Sequence, residues 1–122
     1  MTIVLLMIAG GAGALLRYEV DRAVQRRSHR DLPLGIAIVN VSGSFALGVL
    51  VGLAEHRGIP ARTVTVVGTG LLGAYTTFST LSFDSVALLG AGRRRAALGN
   101  LGLSLALGLG AAALGLLVGH AL

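Results

Sequence analysis

Four runs of residues without a single charge divide this chain and constrain its fold more than any other feature. They cover residues 1–16, 32–54, 63–83 and 96–119, with 16, 23, 21 and 24 residues in turn. About 20 apolar residues in a helix span the roughly 30 Å of hydrocarbon in a bilayer. The last three runs meet that length. The first is short, but it continues as helix to about residue 24, with Arg17 and Asp21 spaced to pair at i, i+4. The expected fold is all-α: one four-helix transmembrane domain over residues 1–122, with spans at about 2–24, 32–54, 63–88 and 96–119. The opening Met-Thr-Ile-Val carries no basic segment, so the first run reads as a retained span and not a cleaved leader.

Charge then sets the expected orientation. The chain is 54% hydrophobic and 12% charged, with a net charge of +5. In a soluble protein that balance would suggest nucleic acid, but here no soluble surface is left to bind one, and the partner is membrane lipid. Loops one and three share a side and hold seven arginines, namely Arg22, Arg26, Arg27 and Arg30 with Arg93, Arg94 and Arg95. Arg57 and Arg62 lie on the other side. The positive-inside rule places loops one and three in the cytoplasm and both termini outside. Cysteine is absent, which excludes disulfides, thiolate metal sites and cysteine nucleophiles. With no catalytic triad, metal cluster or phosphate loop, the chain is not expected to be an enzyme.

Polar residues inside the spans are few and therefore informative. Gly10, Gly11, Ala12, Gly13 and Ala14 give span one a small-residue patch suited to close helix packing. Arg17 and Tyr18 follow where an arginine can snorkel and an aromatic can anchor; Arg17 could equally draw anions to a vestibule. In span two, an amide at Asn40 is costly unless it has partners or faces a wet path. Asn40, Ser44 and Gly48 share one helix face at i, i+4, i+8. Interhelical hydrogen bonding and pore lining both fit. Asn100 and Ser104 are the polar side chains of span four, which ends with Gly115 and Gly119 at GxxxG spacing. His120 reads as a solvated interfacial residue, and Asp84 is expected to pair with an arginine of loop three.

The third span breaks the pattern of a lipid-facing helix. Gly68, Gly70 and Gly73 precede Thr76, Thr77, Ser79, Thr80 and Ser82, with Tyr75, Phe78 and Phe83 among them. A break is expected near residues 73–76, and freed backbone groups in hydrocarbon must be buried in protein or line a cavity. Gly73 can adopt angles closed to other residues and release its carbonyl; Thr76, one turn on, offers a second. Such oxygens suit hard cations. Thr77 and Ser79 can donate to an anion, and the rim of the Phe78 ring carries partial positive charge. The alternative is hydroxyls bonding back to i−4 carbonyls and glycines that only permit packing.

The segments Gly-Gly-Ala-Gly-Ala-Leu-Leu-Arg-Tyr (10–18), Pro-Leu-Gly-Ile-Ala-Ile-Val-Asn-Val-Ser-Gly-Ser-Phe (33–45) and Gly-Ala-Tyr-Thr-Thr-Phe-Ser-Thr (73–80) resemble the Fluc (CrcB) family of bacterial fluoride channels. The resemblance covers nearly the whole chain in length, span number and motif order. It implies an antiparallel dimer with two fluoride pathways and one structural sodium ion, which is not transported, on the two-fold axis. By matching position, the carbonyls of Gly73 and Thr76 would hold sodium. Asn40, Thr77, Phe78 and Ser79 would line the anion pathway, and Arg17 matches the arginine ending span one; Ser104 is a further vestibule or anchor residue. Two positions depart from the family pattern. Leu81 stands where a second phenylalanine is usual, and Gly108 and Ala112 stand near hydroxyl positions of span four.

The expected function is passive fluoride efflux across a bacterial inner membrane. A bias of five arginines disfavours insertion both ways, so an oppositely oriented paralogue is the expected partner, with a homodimer as the other form. A proton-coupled drug exporter of four spans and a partner subunit with a vestigial pore are the competing classes. The first would need a carboxylate within the membrane.

Overall fold

The computed structural model describes residues 1–28 and 33–122. Arg30, Asp31 and the expected start of span two at residue 32 lie outside the described residues. The order is α1 (Thr2–Arg27), α2 (Leu34–Arg57), a composite third span, and α6 (Arg94–Ala121). The third span comprises α3 (Ala61–Val64), a π-helical stretch (Thr65–Leu72), α4 (Gly73–Tyr75) and α5 (Phe78–Gly90). Among the described residues, four helical spans are long and apolar enough to cross a membrane: Thr2–Arg27, Leu34–Arg57, Ala61–Gly90 and Arg94–Ala121. The all-α, four-span reading of the sequence is therefore the observed architecture.

Backbone-to-backbone contact holds the bundle together. Along α2 and α6, a Cβ at Gly48 would overlap the Ala112 carbonyl, and one at Gly52 the Leu116 carbonyl. From the other side, Gly115 meets Phe45 and Gly119 meets Val49 in the same way. Lipid tails supply no hydrophobic drive between helices, so this close van der Waals fit is what selects the pair. The GxxxG spacing in span four thus serves an intramolecular seam. On the opposite side of the bundle, Gly13 of α1 packs on the Leu71 carbonyl, and Gly70 of the π-helical stretch packs on Leu6 and Ala9.

The ends are closed by turn chemistry. Gly58 caps α2 in the left-handed region at φ +66°, with its N–H on the Ala54 carbonyl at 3.0 Å. At that end of the seam, His120 Nε2 meets Glu55 Oε2 at 2.9 Å and Arg57 donates to the Leu122 carbonyl. His120 is exposed, as expected, but it is also paired. The proposed Arg17–Asp21 ion pair does not form among the described residues. Asp21 instead packs against α2 where Gly35 leaves no room for a Cβ, with its buried Oδ1 lacking a hydrogen-bond partner. Asp84 and Arg93 line a common cavity of about 340 Å³ at the same end of the bundle.

A candidate ion pathway at the broken third span

The break begins upstream of the residues that make it. Between Thr65 and Leu72 the helix widens to π pitch, and the Gly73 N–H still reaches the Gly68 carbonyl, five residues back. Such insertions are rare and mostly occur as single widened turns at functional sites. Gly73 itself keeps ordinary helical angles (φ −63°, ψ −37°), so glycine freedom is not what opens the chain there. Two threonines do it. Thr76 (φ −81°, ψ 154°) and Thr77 (φ −151°, ψ 126°) are extended, and α5 restarts at Phe78. β-Branched residues adopt extended angles readily, so this pair tolerates the break.

Asn40 mends the break. Its Nδ2 donates to the Thr77 carbonyl at 2.9 Å, and its Oδ1 accepts from the Thr77 N–H at 2.8 Å. A side-chain amide thereby satisfies both backbone groups of one residue, as a neighbouring strand would. In an α-helix the Thr77 N–H would close on the Gly73 carbonyl. Here that donor is diverted. The Thr80 N–H, which would close on Thr76, goes to Thr77 Oγ1 at 3.4 Å as an N-cap. The helical donors of the Gly73 and Thr76 carbonyls are thus both taken by side chains.

The hydroxyls divide between two uses. Thr76 Oγ1 bonds back to the Leu72 carbonyl at 2.9 Å, the local i−4 bond common for hydroxyls in membrane helices. Thr77 Oγ1 caps α5 and also meets Ser79 Oγ at 3.1 Å and Thr80 Oγ1 at 3.4 Å. Tyr75 is buried at the end of the first limb, with its hydroxyl 2.9 Å from Ser42 Oγ. Beside it Gly43 lets Thr76 Cγ2 and the Tyr75 ring approach the α2 backbone. The Ser42–Tyr75 bond was not anticipated; a hydroxyl on α2 and a tyrosine ahead of the break were its only sequence signals.

Around this break lies a cavity of about 440 Å³. Asn40, Gly73, Thr76, Thr77, Phe78 and Ser104 line it together with Ser44, Leu81, Leu105, Gly108, Leu109 and Ala112. None of these side chains is charged, so an ion inside would be met by dipoles alone. Asn40 has a second amide N–H beyond the one given to Thr77. Phe78 is 66% exposed, whereas Leu81 is 3% exposed and forms packed wall. Ser79 is not among the lining residues and joins through its bond to Thr77. Arg17 is half-buried on α1 and does not line the cavity. No group of three or more His, Cys, Asp or Glu side chains that could hold a metal ion occurs among the described residues.

Fold and site together define a small four-span membrane protein built around an uncharged, largely apolar cavity that a few polar side chains enter at a helix break. The family model described as "CrcB-like protein, Camphor Resistance (CrcB)" matches residues 4–116. A relative from Leifsonia xyli is 41% identical over 98% of this chain and 87% of its own length. Another from Mycobacterium tuberculosis is 44% identical over 89% and 83%, and one from Frankia casuarinae is 45% identical over 91% of each. All three carry the name fluoride-specific ion channel FluC. The chain belongs to the CrcB family.

Proposed function

We propose that this chain is a subunit of a fluoride channel. The carrying observation is the uncharged cavity at a break that Asn40 holds open by pairing with Thr77. Fluoride is small and strongly hydrated, so its passage needs close, neutral donors in place of water. The second N–H of Asn40, the hydroxyls of Ser44 and Ser104 and the edge of Phe78 are of that kind. Thr77 and Ser79 share one hydrogen-bonded cluster beside them and serve the same pathway. Arg17 acts outside the cavity, as an anchor or an anion-attracting vestibule group. Among the described residues no carboxylate lines the cavity, whereas a proton-coupled exporter would require one.

The Gly73 and Thr76 carbonyls fit a structural sodium ion, because both have lost their helical donors and belong to residues that line one cavity. Sodium would supply a fixed positive charge at the break. One chain offers two such carbonyls, and a second, antiparallel chain would supply two more. The arginine bias favours a fixed orientation in a bacterial inner membrane, termini outside, and hence a paralogue as partner, with the homodimer as the other form. Hydrogen fluoride enters as a neutral acid and dissociates inside. The membrane potential then favours exit of the anion by about 2.3 kcal/mol per 100 mV.

The test is fluoride efflux from proteoliposomes in sodium, followed with a fluoride electrode. The chain should carry fluoride far faster than chloride, alone or with its paralogue. Absence of flux in both preparations overturns the proposal.

A further inference from the structure

Next to the break cavity lies a second groove of about 360 Å³, running between the start of α2 and the first half of α6. Leu34 and Ala37 line one wall; Ala96, Gly99, Leu103 and Leu107 line the other. Among the described residues, Ser104 is the one position common to this groove and the break cavity. Arg95, Gly99, Leu103 and Leu107 succeed one another at i+4 and so form one row on α6. At 1.5 Å per residue the row is about 18 Å long, close to the roughly 15 Å of one leaflet's hydrocarbon. A Cβ at Gly99 would meet nothing within 4 Å, so the row is notched one turn below Arg95.

The head of the groove is positive from three sources. Arg93 lines it, while also sharing a neighbouring cavity with Asp84, and Arg94 and Arg95 are exposed in the first turn of α6. That turn contains no acidic residue and no side-chain cap. Arginines there oppose the helix macrodipole, whose positive end lies at the same place. An anion at this level would offset both charges, while the apolar row below would accept a chain.

We propose that this groove is a binding site for anionic phospholipid, with an acyl chain along Gly99, Leu103 and Leu107 and the phosphate at Arg95, Arg93 and the open N-terminus of α6. Basic sites between membrane helices are suited to anionic head groups.

The chain has no tryptophan, so a single introduced indole reports its own surroundings. Leu103→Trp places one in the groove; Leu117→Trp, at a position 66% exposed on the other half of α6, is the control. The full chain is reconstituted in phosphatidylcholine vesicles with increasing brominated phosphatidylglycerol or brominated phosphatidylcholine. Quenching of the groove indole by the anionic lipid should show an association constant at least about five-fold higher, the factor one basic residue at a membrane surface supplies. The preference should vanish with Arg95→Gln plus Arg93→Gln and persist with lysine at both positions. Equal quenching by the two lipids overturns the proposal, as does an equal preference at the control indole, which would indicate general attraction to the surface. Protection from both lipids would mean that a second copy covers the groove, and this also overturns it. Leu107→Trp gives a second reporter should Leu103→Trp fail to fold.

Discussion

The Asn40 amide pairs with both backbone groups of Thr77, and in doing so it takes from the Gly73 carbonyl the donor that a continuous helix would give it. One side chain on α2 therefore both repairs the third span and leaves an oxygen open beside the cavity. Asn40→Ala removes both bonds, and each stranded backbone group costs about 1–3 kcal/mol. Asn40→Asp keeps an acceptor for the Thr77 N–H but sets a carboxylate against the Thr77 carbonyl and the cavity. Both variants are expected to lose fluoride flux, with the aspartate variant folding at least as well as the alanine one. Thermal unfolding in detergent alongside efflux checks this; wild-type flux through Asn40→Asp would contradict it.

Phe78 and Leu81 lie one turn apart on α5 yet differ in exposure, 66% against 3%. Truncating a buried leucine leaves a cavity, so Leu81→Ala should destabilise the chain by about 2–5 kcal/mol. Phe78→Ala removes an exposed ring, and its effect on folding should stay within about 0.5 kcal/mol. Flux should respond the other way, falling strongly for Phe78→Ala even where the protein is fully folded. Equal stability losses would mean that Leu81 is not the packed wall its burial indicates.

The spans were legible because hydrocarbon demands long uncharged runs, and charges marked their ends. The break was also legible, from the density of glycine and hydroxyl residues between Gly68 and Ser82. Its mechanism was not. Sequence favours Gly73 as the opening residue, yet Gly73 stays helical, and Thr76 and Thr77 take the extended angles. The reason is a partner 37 residues away: Asn40 stabilises an extended Thr77 that local propensity could not specify. Asp21 gives the same lesson. Its i, i+4 partner Arg17 is in range, but the close approach of α1 to Gly35 claims it. Local spacing predicts a pair only when no tertiary contact competes.

The seam between α2 and α6 makes a sharp prediction about glycine. A methyl at Gly48 would overlap the Ala112 carbonyl, whereas one at Gly110 would meet nothing within 4 Å. Gly48→Ala should therefore force the helices apart at about 1–3 kcal/mol, the usual cost of overpacking. Gly110→Ala should instead stabilise by about 0.5–1 kcal/mol, because alanine loses less backbone entropy in a helix. Denaturant titration in mixed micelles separates the two signs, and a shared sign would show that the seam is not a backbone contact.

Tyr75 and Ser42 test whether the limb before the break is held independently of Asn40. Their hydroxyls are 2.9 Å apart, and Tyr75 is 7% exposed. Tyr75→Phe and Ser42→Ala each delete the bond, so the double variant should cost less than the sum of the singles. The coupling should be about 0.5–1 kcal/mol, in the range of interhelical hydrogen bonds in membranes. Ser42 Oγ also bonds to the Val39 carbonyl at 3.1 Å, so full additivity would mean that the two hydroxyls do not interact with each other.

The proposed sodium ion carries a prediction about assembly. Hard cations bind oxygen ligands, and Gly73 and Thr76 of one chain provide two carbonyls. If a second chain supplies the other two, as proposed, removing the cation should loosen the dimer before it unfolds the subunit. Protein purified and reconstituted throughout in N-methylglucamine, which is too large for the site, should show a reduced cross-linked dimer fraction and reduced fluoride flux. Helix content by circular dichroism should stay unchanged, because α1, α2 and α6 pack through contacts that do not involve the cation. Restoring sodium should return both dimer and flux, whereas flux that is indifferent to sodium from the first purification step onward would remove the metal from the proposed mechanism.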